Sequence, residues 1–292
     1  MSSLHPESAA TRGPDGPPAG SVQHYENFPV ASWLCPPRLR PPIAAIYAFA
    51  RTADDLADEG DAPAAQRLAD LGDYRRDLQA TCAGHAVSDR WPQVFAPLSQ
   101  AIAQFQLPSG LLHALLDAFE QDVARSRDGA VAADLAALLD YCERSANPIG
   151  RLLLHLYGVD DARSLARSDA ICSALQLINF WQDLSVDLAR GRFYLPQDRC
   201  RAHGVDPRAP EPGPGAGALI AELVAHARAL MMQGAPLVHR VPGRMGWELR
   251  LVVQGGLRIA ERLARRPADA LHHRPVIGPA DAPRLLWRSL WM

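Results

Sequence analysis

The sequence predicts an all-α protein with a single domain, and three observations indicate that class. Apolar residues recur at helical spacing through most of the chain from Tyr25 onward. Alternating runs of β-branched residues, which are typical of strands, are scarce. The chain of 292 residues, 48% of them hydrophobic, can bury one large core and has no internal repeat. Residues 1–22, rich in Ser, Pro, Gly and Ala, are predicted to be a disordered tail, which leaves residues 23–292 as the folded domain.

Apolar periodicity and helix-breaking residues divide this domain into eight predicted helices. The first follows Pro41 and Pro42, which suit a helix start. We expect the fifth to bend or break at Asn147 and Pro148, because proline lacks the backbone donor of a helix interior. The breaker-rich segment 203–217 is predicted to be a loop. The predicted helices cover residues 43–59, 61–83, 93–106, 110–127, 132–157, 168–189, 218–233 and 246–265.

Composition excludes several classes of function. The formal net charge of −2 gives no strong attraction to nucleic acid, so no nucleic-acid partner is expected. All 30 basic residues are arginine, which excludes any mechanism that needs a lysine. The five cysteines lack metal-ligand spacing and indicate a reduced, cytoplasmic setting. The sequence has no signal-peptide pattern and no run of about eighteen apolar residues, so we expect no transmembrane helix.

The sixth predicted helix carries a polar stripe in an apolar sequence. Gln176, Asn179, Asp183 and Asp187 are three or four residues apart, so they share one helix face. Because apolar residues flank the stripe on both sides, a solvated polar face is the weaker interpretation.

The first predicted helix carries a second acidic stripe. Tyr47, Arg51, Asp54 and Asp58 are spaced by four, three and four residues and also share a face. Taken alone, this stripe fits a solvated surface about as well as a functional site. Two remote helices that each present an Asp-x-x-x-Asp pair favour the functional interpretation.

Two such pairs facing each other in a bundle have the chemistry of a magnesium site. Mg²⁺ prefers oxygen ligands and is held by one or two carboxylates together with substrate phosphates. Arg51 and Arg192 are expected to add bidentate contacts to the phosphate oxygens. A di-iron site is set aside because it needs Glu-x-x-His pairs, and neither acidic helix contains histidine. The predicted ligands, for Mg²⁺ or alternatively Mn²⁺, are Asp54, Asp58, Asn179, Asp183 and Asp187.

These motifs resemble those of the squalene and phytoene synthase family, the head-to-head isoprenyl diphosphate synthases. The flanks match as well, with Tyr47 and Arg51 before the first motif, Gln176 before the second and "GRFYLP" after it. The resemblance spans residues 24–265 and implies an isoprenoid-synthase helical bundle with a central cavity. Each motif alone is moderately specific, whereas both in this order are strongly specific.

The resemblance also implies roles for further residues. Tyr47 and Tyr141 are expected to be catalytic, Tyr141 by orienting the diphosphate or as a weak acid–base group, with core packing as its alternative. Asn27 and Phe28 match a family position that touches diphosphate, although a helix cap explains Asn27 almost as well. The expected diphosphate-binding residues are Asn27, Phe28, Arg51, Gln176, Arg192 and Tyr194.

Segments 24–32, 49–62 and 145–158 most resemble a bacterial branch of the family that forms hydroxysqualene for hopanoid synthesis. The implied reaction ionises presqualene diphosphate and captures the rearranged cation with water, without NADPH. Related phytoene and presqualene diphosphate synthases show a "YCYxVAGxVG"-like pattern where this chain reads "YCERSANPIG", residues 141–150. Water capture needs a polar group, and Asn147 is the predicted one, with a plain helix break as its alternative.

A long hydrocarbon cation also needs a dry pocket with aromatic walls. The predicted wall residues are Phe28, Tyr47, Phe49, Phe180 and Trp181. Two other functions stay open: condensation of two prenyl diphosphates to presqualene diphosphate or phytoene, and an inactive helical scaffold, which missing aspartates would indicate. No aspartate of the two motifs is missing.

The last eleven residues, "APRLLWRSLWM", suit a short amphipathic helix with two tryptophans and two arginines. Such a helix fits peripheral contact with a membrane surface, where isoprenoid lipids reside, and packing back on the domain is the alternative. Functional coupling to other enzymes of squalene synthesis is the remaining partner expectation.

Overall fold

Twelve α-helices make up most of residues 35–292, the part of the chain that the computed structural model describes. No strand forms in this part, where β-pairing is limited to a single bridge between Val131 and Phe193. The predicted all-α class is therefore confirmed. The helices are α1 Arg40–Asp58, α2 Ala64–Ala83, α3 Pro92–Phe105, α4 Ser109–Asp128, α5 Leu135–Ser145, α6 Asn147–Leu156, α7 Ala162–Gln182, α8 Leu184–Ala189, α9 Gln197–His203, α10 Pro214–Gly234, α11 Arg244–Arg265 and α12 Ala282–Leu290.

The predicted break in the fifth helix is confirmed. Helix α5 ends at Ser145 and α6 begins at Asn147, so the break falls at Ala146. Pro148 lies in the first turn of α6, where a missing backbone N–H leaves no intrahelical bond unmade.

A second interruption, which the sequence did not predict, separates α7 from α8 at Asp183. The backbone N–H of Asp183 still donates to the Asn179 carbonyl at 2.9 Å, and that of Asp187 donates to the Asp183 carbonyl at 2.9 Å. The polar stripe therefore continues across the interruption. No glycine or proline lies at this position, so local sequence carries no signal for the break.

The region around the predicted loop also differs from expectation. Helix α9 was not predicted, and α10 begins at Pro214, four residues before the predicted start at 218. Segment Pro214–His239 is long and apolar enough to cross a membrane, which the sequence analysis did not anticipate. Leu219, Leu223 and other apolar residues of α10 are fully buried in the core, and 39% of the apolar window is buried.

Two hydrophobic clusters form the core, and the space between them positions the site. One cluster joins α1 to α4 around Phe49, which stacks on Tyr74 with ring centroids 5.3 Å apart. The other joins α7, α10 and α11 around Trp181 and Leu223. Helix α7 thus presents one face to its own cluster and the opposite face to α1.

We expect Gly234→Ala to lower the free energy of unfolding by about 1–3 kcal/mol, the usual consequence of overpacking. A Cβ at Gly234 would lie 2.5 Å from the Arg167 carbonyl oxygen and 3.0 Å from the Ile171 backbone nitrogen, and backbone atoms cannot move aside easily. Urea unfolding followed by circular dichroism measures the change.

The matched control is Gly110→Ala in α4, where an added Cβ meets nothing within 4 Å. This variant should be as stable as the parent or slightly more so, because alanine restricts the unfolded chain. Equal stability of the two variants would contradict the close approach of α10 to α7.

Candidate active site

A cavity of about 900 Å³ lies between the two clusters, at the upper end of the range for small-molecule sites. Its lining changes character along α1, from Ile43 and Ile46 near the start of the helix to Asp54 and Asp58 at its end. The same change occurs along α7, where Leu175 precedes Asn179. The cavity therefore has an apolar body and an acidic end.

The first motif supplies one wall of the acidic end. Tyr47, Arg51, Asp54 and Asp58 all line the cavity, as their shared helix face predicts. The Arg51 guanidinium lies 3.3 Å from the Asp54 carboxylate and 2.6 Å from Glu59. Arg51 thus neutralises part of the acidic charge on its own helix.

The second motif supplies the facing wall. Gln176, Asn179, Asp183 and Asp187 line the same cavity although more than 110 residues separate them from the first motif. Asp183 is 5% exposed and Asp187 is 9% exposed, so both carboxylates are buried. Burial of ionisable groups at the wall of a cavity is typical of a functional site rather than of a solvated surface.

Arginines connect the two walls. Arg192, which follows α8, pairs with Asp58 of α1 at 2.8 Å. Arg274, which follows α11, forms an ion pair with Asp183. Sequence reasoning missed Arg274, because it lies 91 positions from its partner in a loop without a motif. Three of the four motif aspartates are therefore charge-balanced by arginine.

The pKa values show that the two motifs share one electrostatic environment. Burial raises the pKa of Asp54 to about 7, and the neighbouring Asp58 charge adds to that rise. Burial likewise raises the pKa of Asp187 to about 7, and Asp58 again contributes, against the opposing effect of Arg192. Because Asp58 acts on a carboxylate of each wall, the acidic end behaves as a single site.

Asp122 of α4 is a cavity residue that the sequence analysis missed. The Tyr141 hydroxyl donates to its carboxylate at 2.6 Å. Burial raises the pKa of Asp122 to about 7 in spite of that hydrogen bond. Its sequence signal is a carboxylate on the apolar face of a helix, one turn after Phe119 and two turns after Leu115.

Aromatic rings form part of the wall near Tyr141. Phe180 stacks on Tyr194 with ring centroids 3.9 Å apart, and both line the cavity together with Tyr47. Two predicted wall residues are elsewhere, since Phe49 and Trp181 are fully buried in the hydrophobic clusters and do not line the cavity. Helical periodicity placed these two in an apolar helix without distinguishing cavity from core.

One further predicted site residue, Asn147, is described by the structure but is not part of the observed lining. Asn147 is buried, and its Oδ1 accepts from the Ser173 hydroxyl at 3.0 Å. This position fits the structural alternative that was weighed for Asn147. Asn27 and Phe28, with the whole segment 24–32, lie outside the described residues.

The oxygen ligands at the acidic end fit a hard divalent cation when a bound diphosphate completes its coordination. Within residues 35–292, no group of three or more His, Cys, Asp or Glu side chains is arranged to hold a metal by itself. Magnesium needs only one or two carboxylates when substrate phosphates and water complete its six oxygens. The aspartate and asparagine oxygens therefore fit Mg²⁺ where a diphosphate supplies the remaining ligands.

Comparison with known proteins identifies the family. The family model of squalene/phytoene synthases matches residues 21–281, so the chain belongs to the squalene/phytoene synthase family. It is an enzyme of the prenyltransferase type that acts in isoprenoid synthesis.

Two related enzymes and one crystal structure are similar to this chain over most of its length. A hydroxysqualene synthase of Zymomonas mobilis is 40% identical over 64% of this chain, and the match spans 60% of that relative. A presqualene diphosphate synthase of Rhodopseudomonas palustris is 31% identical over 82% of this chain and 81% of the relative. The crystal structure of squalene synthase HpnC from Alicyclobacillus acidocaldarius is 36% identical, with a TM-score of 0.74 over 83% of this chain and 89% of that one.

Proposed function

We propose that this chain is a hydroxysqualene synthase that ionises presqualene diphosphate and captures the cation with water. The observation that carries the proposal is the meeting of both aspartate motifs at one end of a cavity whose body is apolar. A diphosphate suits the acidic and arginine-bearing end, and a long isoprenoid suits the apolar body. Similarity to a hydroxysqualene synthase at 40% identity supports the particular reaction.

Each wall has a defined part in this proposal. Mg²⁺, or Mn²⁺, would be held by Asp54, Asp58, Asn179, Asp183 and Asp187, and would supply charge stabilisation for the departing diphosphate. Arg51 and Arg192, which both line the cavity, exchange their carboxylate partners for diphosphate oxygens as the substrate binds. Arginine suits this exchange because its planar fork binds carboxylate and phosphate in the same geometry.

The apolar body has two tasks in the proposed reaction. It excludes bulk water from the cation, and its aromatic faces, Phe180 and Tyr194, attract positive charge. A smaller and almost wholly apolar pocket of about 60 Å³ lies next to the main cavity and shares Ile43, Cys172 and Leu175 of its lining. No NADPH is expected, because capture by water needs no reductant.

A presqualene diphosphate synthase is the second candidate, favoured by the 31% identity to such an enzyme. The acidic end serves both reactions, so incubation with each substrate must separate them. Purified protein given presqualene diphosphate without NADPH should release diphosphate and form hydroxysqualene, and farnesyl diphosphate should stay unreacted. Turnover of farnesyl diphosphate alone would contradict the proposal.

We further propose that the C-terminal helix contacts a membrane surface from the cytoplasmic side. Helix α12 packs on α11, where Arg284 and Arg288 pair with Glu261. Trp287 of α12 is 62% exposed to solvent, and Trp291, directly after the helix, is 76% exposed. Exposed tryptophans on an amphipathic helix are typical of the bilayer interface.

We expect the double substitution Trp287→Ser and Trp291→Ser to weaken binding to anionic vesicles by about tenfold or more, because two large apolar anchors are lost. Co-sedimentation with phosphatidylglycerol vesicles measures the binding. Met232→Ser on α10 is the control, since Met232 is 53% exposed and lies outside α12. Unchanged binding of the double variant would rule out α12 as the contact.

A further inference from the structure

The part of the cavity wall formed by α4 and α5 carries three polar groups that succeed one another. They are Asp122 on α4 and Tyr141 and Ser145 on α5, all of which line the cavity. The neighbouring lining residues Phe119, Ala146 and Ile149 are apolar. We call these three residues the hydroxyl relay.

The contacts within the hydroxyl relay leave hydrogen-bonding capacity unused. Tyr141 donates its hydroxyl proton to Asp122 at 2.6 Å, so its lone pairs stay available to accept. Ser145 lies one helical turn after Tyr141, on the same face. The Ser145 hydroxyl acts as a weak hydrogen-bond donor to Tyr141, which counters the rise that burial and the Asp122 charge cause in the Tyr141 pKa.

Apart from this weak contact with Tyr141, the buried Ser145 Oγ has no hydrogen-bond partner of normal geometry among the described residues. A buried hydroxyl without a partner is destabilising, so its presence in an apolar wall needs a reason. Because Ser145 lines the cavity, a water molecule bound there would give the hydroxyl a partner.

Ser145 also occupies the position at which the related "YCYxVAGxVG" pattern has valine. Serine carries a hydroxyl where valine carries only methyl groups. Asn147, the residue that sequence reasoning selected from the same segment, bonds to Ser173 instead. The polar change that reaches the cavity is therefore the one at Ser145.

We propose that Ser145 and Tyr141 hold the water molecule that captures the carbocation, with Asp122 as the final proton acceptor. This inference rests on the proposed function and names the positioning residues that turn ionisation into hydroxylation. Ser145 acts on the water through a hydrogen bond, and Tyr141 accepts the second one.

The chemical step balances without an added reagent. The bond between carbon and diphosphate oxygen breaks, and its electron pair leaves with the diphosphate. After rearrangement of the cation, the water oxygen forms the new carbon–oxygen bond. The proton that the water loses passes to the Tyr141 oxygen while Tyr141 gives its own proton to the Asp122 carboxylate. The raised pKa of Asp122, about 7, suits a group that accepts a proton at neutral pH.

The test compares Ser145→Val with Ser145→Thr, because these side chains share a shape and differ in the hydroxyl. Each variant is given presqualene diphosphate in H₂¹⁸O, and released diphosphate and ¹⁸O-hydroxysqualene are counted separately. We expect both variants to release diphosphate at comparable rates. The amount of hydroxysqualene formed per diphosphate released should be at least about fivefold lower in Ser145→Val than in Ser145→Thr. A decrease of this size corresponds to the loss of one hydrogen bond.

A control variant and the parent protein distinguish failure of the proposed Ser145 role from failure of the proposed function. Ser126→Ala, a serine of α4 that also lines the cavity, should keep the product fraction of the parent. Equal fractions in the valine and threonine variants, or a parallel loss of both products, would overturn the role of Ser145. Failure of the parent protein to form ¹⁸O-hydroxysqualene at all would instead overturn the proposed function.

Discussion

Asp54→Asn and Asp187→Asn should each lower turnover of the isoprenoid diphosphate by about 10³-fold or more, while the fold persists. One carboxylate comes from each wall of the acidic end, and loss of several kcal/mol of transition-state charge stabilisation corresponds to that factor. Steady-state release of diphosphate measures the effect. The size of the effect should be similar for both walls, because the two motifs act on one diphosphate.

The stability of these variants distinguishes a functional from a structural role. The pKa of each carboxyl rises from 3.8 to about 7 on folding, so the folded protein binds this proton more tightly than the unfolded chain. The stability contributed by the group is fully present below pH 3.8 and is lost as pH rises through about 7. At pH 8 the asparagine variants should therefore be at least as stable as the parent without metal.

Asp140→Asn provides the control for these substitutions. Asp140 lies on α5, its side chain is 61% exposed, and it pairs only with Arg144 on the same helix among the ion pairs of residues 35–292. Its replacement should leave turnover within about twofold, since exposed ion pairs contribute little. An Asp54→Asn variant that unfolds, or that keeps full turnover, would contradict the assignment of the acidic end.

Removal of divalent metal should abolish turnover completely. The acidic end carries more carboxylates than its arginines neutralise, and a diphosphate adds further negative charge that only a cation offsets. Activity should disappear in EDTA and return with Mg²⁺ or Mn²⁺, as a titration of diphosphate release would show. Full activity in EDTA would remove the proposed mechanism.

The magnesium requirement should also depend on pH in a defined direction. Protons compete with metal for Asp54 and Asp187, whose pKa values are near 7 without metal. The Mg²⁺ concentration for half-maximal rate should therefore rise as pH falls from 8 to 6. A constant requirement over this range would indicate that neither carboxylate binds the ion.

The sequence predicted those features of the site whose residues lie on a single helix face. The two acidic stripes could be predicted because residues on one face recur every three or four positions, and the stripes do line one cavity. The break at Pro148 was predictable for the local reason that proline cannot donate. Fold class followed from the same periodicity.

Other parts of the site depend on contacts that no local pattern records. Arg274 reaches Asp183 from a loop 91 residues away. Asp122 is a single carboxylate, and no second carboxylate on the same face of its helix marks it as part of a motif. Phe49 and Asn147 are the reverse case, because the sequence predicted them as cavity residues and the structure places them outside the cavity lining. Their sequence contexts suggested the cavity, but packing between helices buries Phe49 against Tyr74 and turns Asn147 toward Ser173.

The central claim is that two remote acidic motifs bind one metal–diphosphate group between them. Anomalous scattering from crystals grown with Mn²⁺ and inorganic diphosphate tests it most directly. The account predicts manganese peaks between α1 and the α7–α8 junction, within bonding distance of at least one carboxylate from each motif and of the diphosphate oxygens. Manganese bound at only one motif, or a diphosphate bound away from both, would contradict it.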